Sequence, residues 1–111
     1  MNHSAKCMAA SLALSVTVWA GTPAKADEAR NRAAGEAMAQ ELCSGCHIIG
    51  ENQSGPVPDG PAPFPVIADR PGRTVGYLEA YLSSPTPPMP HVPLSKQEVD
   101  RVIAYIRSFA E

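Results

Sequence analysis

The apolar positions of this chain recur at helical spacing and show no run of alternation. Val99, Val102, Ile103 and Ile106 stand at i, i+3, i+4 and i+7, and Phe109 extends the stripe. That spacing lines one face of a helix. Ser95 and Glu98 precede it as S-x-x-E, the capping-box pattern in which side chains and backbone satisfy each other at a helix start. Lys96, Asp100 and Arg101 fall off the stripe and belong to the solvent face. A second helix is predicted over 27–42, opened by Asp27 and Glu28 at the positive end of its dipole. Its stripe is Gly35, Met38, Ala39 and Leu42. A glycine there costs about 1 kcal/mol relative to alanine, so its use is to let another element approach closely. A third, shorter helix is predicted over 73–83, with Val75, Leu78 and Leu82 on one side and Tyr77 and Tyr81 one turn apart. Ser83-Ser84-Pro85 ends it.

Residues 50–72, GENQSGPVPDGPAPFPVIADRPG, carry proline and glycine at a density that predicts irregular chain throughout. SPTPPMPHVPL, 84–94, reads as extended and proline-braced. With no internal repeat, the fold class is all-α: three main helices joined by long Pro/Gly-rich loops.

The N-terminal stretch changes what belongs to that domain. Residues 8–21 carry no charge, Lys6 precedes them, and Ala24-Lys25-Ala26 fits an A-x-A cleavage site. This predicts a signal peptide over 1–26, too short to span a bilayer, and a mature domain over 27–111. Cleavage removes His3, Cys7 and the lone tryptophan, Trp19. The remaining 85 residues keep Cys43, Cys46, His47, His91, Met38 and Met89. Their 7 basic and 11 acidic side chains leave a net charge of −4, which argues against a nucleic-acid partner. Hydrophobic residues make up 44% of the chain but aromatics only 5%, so a core of side chains alone is thin. Exported domains of this size usually add a staple.

LCSGCHIIG, 42–50, holds the candidate chemistry. A redox dithiol needs C-x-x-C at the start of a helix in a βαβ setting, and no strands are predicted to build one. A structural zinc site needs four ligands. Cys43, Cys46, His47 and His91 reach four, but Cys46 and His47 are adjacent and close a tetrahedron poorly. C-x-x-C-H suits covalent haem attachment. Two thioethers, from Cys43 and Cys46, reach the vinyl groups on one edge of a flat ring, and the next imidazole, His47, turns beneath it to the iron. The haem also adds the apolar bulk that the core lacks. Met38 lies on the helix leading into the anchor and cannot easily reach the opposite haem face. Met89, in TPPMPH with prolines on both sides, is the expected distal ligand. His91 is its rival.

GEAMAQELCSGCH, DGPAPF, PPMP and LSKQEVDRVIAYIRSF, in this order, resemble a small bacterial class I c-type cytochrome over nearly all of the mature chain. The resemblance implies the cytochrome c fold around one haem c, with the Gly35 helix crossing the C-terminal helix near Tyr105. It implies that the Pro61 carbonyl accepts a hydrogen bond from His47 Nδ1, with Pro63 as a competing register. It offers Arg70, Tyr77 and Tyr81 as partners for the haem propionates. The function it implies is a soluble periplasmic carrier of single electrons and not an enzyme. It would work between a dehydrogenase or quinol-oxidising complex and a terminal acceptor, through partners with a basic docking face. The alternatives are an electron-accepting subunit of a dedicated dehydrogenase and a haem enzyme or sensor with an open iron site.

Overall fold

The computed structural model describes residues 22–51 and 60–110. The predicted signal peptide lies largely outside them. Four helices and no strands occur among the described residues: α1 (Pro23–Leu42), α2 (Phe64–Asp69), α3 (Val75–Ser83) and α4 (Lys96–Arg107). The all-α expectation holds, with one helix more than expected.

α4 follows its pattern closely. Ser95 caps it, its hydroxyl accepting from the Glu98 N–H while the Glu98 carboxylate accepts from the Ser95 N–H. The Ser95 hydrogen bonds hold the Glu98 carboxyl below its ordinary pKa. Val99, Val102, Ile103, Tyr105 and Ile106 are buried. Phe109 lies half-buried in the turn beyond the last helical residue. On the solvent face Lys96 pairs with Asp100 at 3.1 Å.

α1 begins four residues earlier than expected, with Thr22 as N-cap and Pro23 in its first position. Proline is tolerated there because the N–H it lacks would have had no helical acceptor. Gly35 and Ala39 are buried, whereas Leu42 stays 43% exposed where the helix runs out. α3 begins at Val75 because Thr74 caps it, the Thr74 hydroxyl accepting from the Tyr77 N–H at 3.1 Å. Val75 is therefore an end residue and half exposed, while Leu78 is buried.

α2 corrects the expectation that 50–72 is irregular throughout. Its prolines occupy the N-cap, Pro63, and the second helical position, Pro65. First-turn N–H groups have no intrahelical partner, so neither ring costs a helical hydrogen bond. The N–H of Phe64 donates instead across the loop to the Ile48 carbonyl at 2.9 Å.

α4 is the hub: α1, α2 and α3 each pack against it and not against one another. The core is Ala39, Ile49, Phe64, Ala68, Leu78 and the buried α4 face. Arg107 ties the periphery in, donating to the Ala68 carbonyl at 3.0 Å and to the Arg73 carbonyl at 3.5 Å.

α1 crosses α4 at Gly35. A methyl group on Gly35 would overlap the Arg101 carbonyl and stand 3.0 Å from Tyr105 Cβ. The steric term opposes the helix propensity that favours alanine by about 1 kcal/mol. Because the obstacle is backbone, overlap wins: Gly35→Ala is expected to destabilise the protein by about 1–3 kcal/mol. Denaturant unfolding measures this, and a variant more stable than wild type would mean that the helices do not meet there.

Candidate functional site

Cys43, Cys46 and His47 come together in one turn at the end of α1. The His47 N–H donates to the Cys43 carbonyl at 2.8 Å and the Cys46 N–H to the same oxygen at 3.1 Å. The turn thus carries on helical pairing, and residues at i, i+3 and i+4 of such a turn share one face. The C-x-x-C-H spacing follows from that geometry. Both thiols are free, Cys46 exposed and Cys43 half-buried. Burial raises the Cys43 pKa above its ordinary value.

His47 is half-buried and its Nδ1 lies 2.8 Å from the Ala62 carbonyl oxygen. A carbonyl only accepts, so Nδ1 carries the proton and the Nε2 lone pair of the neutral ring is left for a metal. This corrects the expected acceptor, which is neither Pro61 nor Pro63 but the alanine between them. The register is set by the Phe64 N–H bond to Ile48. That bond pins 64 opposite 48 and brings the carbonyl of 62 opposite the ring of 47, while Pro61 stays exposed.

The sequence reading passed over Phe64. Its ring is buried at 3% exposure, lies 5.5 Å from the His47 ring at 53°, and meets the Tyr105 ring at 6.2 Å, edge on. The available signal was an aromatic between two prolines, APFP, where α2 starts. Tyr105 is anchored too: its phenol donates to the Ile49 carbonyl at 2.9 Å, and its ring packs against Phe109 at 5.1 Å.

Met89 sits in a separate turn, where its N–H donates to the Thr86 carbonyl at 3.2 Å. It is half-buried, whereas His91 is exposed. Among the described residues no three His, Cys, Asp or Glu side chains form a group that could hold a metal ion, so the four-ligand zinc set is not assembled. Of the expected propionate partners, Arg70 is exposed at the end of α2. Tyr77 and Tyr81 stack at 6.1 Å, and Arg73 covers the Tyr77 ring at 4.2 Å.

A family model described as Cytochrome c matches residues 32–110 of the chain. Cytochrome c-552 of Bradyrhizobium diazoefficiens is 35% identical over 74 residues, covering 67% of this chain and 70% of the relative. No solved structure matches the chain.

The Tyr105 contact is open to a direct measurement. Tyr105→Phe keeps both ring pairs and loses the hydrogen bond to Ile49, an expected cost of about 0.5–1.5 kcal/mol. Burial first, and Glu36 second, raise the phenol pKa above its ordinary value. As pH climbs past about 10 the unfolded chain gives up this proton before the folded one does, so the phenol's contribution to stability shrinks. Unfolding curves from pH 7 upward should therefore show the gap between wild type and variant narrowing above that range. A gap that widens would contradict the buried phenol.

Proposed function

The chain belongs to the cytochrome c family, and from that footing we propose that it is an exported, periplasmic carrier of single electrons. In this reading Cys43 and Cys46 would form the thioether anchors, and His47 and Met89 would ligate the iron. The observation that carries it is the single turn presenting two free thiols and an imidazole whose Nδ1 is committed to the Ala62 carbonyl.

The family binds haem c covalently, and the donor set of this chain fits that group. The thiols are the atoms that thioethers need, and the imidazole is already in the tautomer that leaves Nε2 to the iron. When bound, the haem adds a one-electron iron couple and a broad apolar disc. The residues do the rest. Cys43 and Cys46 hold the group at two points of one turn. The Ala62 carbonyl orients His47 by accepting a hydrogen bond from its Nδ1–H. Met89 contributes a soft, uncharged thioether, which favours reduced iron relative to a second imidazole. Pro87, Pro88 and Pro90 flank it and stiffen the loop that carries it. Half-burial of Met89 and exposure of His91 support the sulfur as the distal ligand. With both positions taken by His47 and Met89, the iron would carry single electrons and would not bind a substrate.

Among the described residues no helix is long and apolar enough to cross a membrane. Independently of that, the uncharged segment 8–21 and the A-x-A pattern at 24–26 support a leader that is cut before Asp27.

Substitution separates the ligands. Met89→Ala is expected to keep haem attached, lose the ferric iron–sulfur charge-transfer band, lower the potential and admit cyanide or CO. His91→Ala is expected to leave the spectrum unchanged. An unchanged spectrum in Met89→Ala together with a changed one in His91→Ala would reverse the assignment.

Docking has its own test. A mature charge of −4 implies steering toward a basic partner surface. Stopped-flow electron transfer with a basic redox partner is expected to slow about tenfold or more from low to physiological ionic strength. A rate indifferent to salt would count against a charge-steered encounter.

A further inference from the structure

We propose that Phe64 is a positioning residue, fixing the plane of the His47 imidazole. This rests on the reading of His47 as an iron ligand. The hydrogen bond from Nδ1 to the Ala62 carbonyl anchors one edge of the ring. A carbonyl oxygen accepts over a broad arc, so this bond alone leaves the ring free to rock about its Cβ–Cγ bond. The Phe64 ring removes that freedom. It lies 5.5 Å from the imidazole, tilted by 53°, and is only 3% exposed.

Phe64 can act as a stop because it is held from three directions. Its N–H is bonded to the Ile48 carbonyl at 2.9 Å, one residue beyond His47. Its ring meets Tyr105 edge on at 6.2 Å. Pro63 and Pro65 flank it at the start of α2, and each fixes its own φ. Tyr105 in turn holds the Ile49 carbonyl at 2.9 Å. A wall fixed at its backbone and at its ring transmits the rigidity of α4 to the imidazole. The orientation of an axial imidazole decides which iron d orbitals it overlaps. In ferric haem that orientation, together with that of the thioether, sets the magnetic axes, and with them the pattern of haem methyl proton shifts.

The test compares ferric holoproteins by proton NMR. Phe64→Leu keeps an apolar side chain and loses the flat wall. Val102→Ala removes volume from the α4 core at a residue 1% exposed and serves as the control for simple destabilisation. Phe64→Leu is expected to retain covalent haem and to change the spread and order of the methyl shifts. Val102→Ala is expected to lower the unfolding temperature and leave the wild-type pattern in place. If Phe64→Leu keeps the wild-type pattern, or Val102→Ala changes it equally, Phe64 is core packing only and the proposal falls. If Phe64→Leu yields no holoprotein, nuclear Overhauser contacts in the wild type decide. Contacts between the His47 ring and Phe64 ring protons support the wall, and their absence overturns it. A wild-type chain without covalent haem would overturn the ligand reading as well, whereas haem whose shifts ignore Phe64 overturns this proposal alone.

Discussion

The arrangement of the site depends on one main-chain hydrogen bond, from the Phe64 N–H to the Ile48 carbonyl. It joins the segment leaving the cysteine turn to the start of α2. Three consequences follow from the register it sets. The Ala62 carbonyl comes opposite His47 Nδ1. The Phe64 ring is delivered between His47 and Tyr105. Ile49 is brought under α4, where the Tyr105 phenol takes its carbonyl. The donor is free for this purpose because Phe64 is the first residue of its helix and has no acceptor within it. A local rule about helix ends thus becomes a long-range constraint on an imidazole.

What was legible in the sequence was mostly what is encoded locally. α4 announced itself because its apolar stripe and its capping box are both short-range patterns, and the structure has both. The Gly35 crossing was legible because a glycine on a buried helix face asks for a close neighbour, and the Arg101 carbonyl is that neighbour. α2 is not legible from proline density over a window, because proline's effect depends on its position within the first turn. Leu42 and Val75 continue helical stripes in sequence yet lie exposed, because periodicity does not say where a helix stops touching its partner. The cysteines and His47 were legible as a cluster since one turn contains them all.

α4 also explains how so small a core holds together. The other helices lean on α4 and not on one another, so each contributes a few buried side chains and depends on α4 for the rest. Arg107 adds polar ties from α4 to the end of α2 and to the turn before α3. A domain built this way has few apolar contacts outside its hub, and a covalently held apolar group adds most where contacts are few. The same rigidity serves electron transfer. In the proposed reading, an imidazole backed by Phe64 and a thioether in a proline-flanked turn would both resist movement when the charge on iron changes.

The correction from Pro61 to Ala62 shows what kind of information a sequence withholds at such a site. The acceptor is a main-chain carbonyl, which every residue has, so the side chain at that position carries no sign of the role. The determinants lie next door. Pro63 caps α2, and Phe64 supplies both the N–H that sets the register and the ring that faces His47. Moving those two by one position would present a different carbonyl, whatever residue stood at 62. The chemistry of His47 is therefore specified less by the residue it bonds than by the start of the helix that follows.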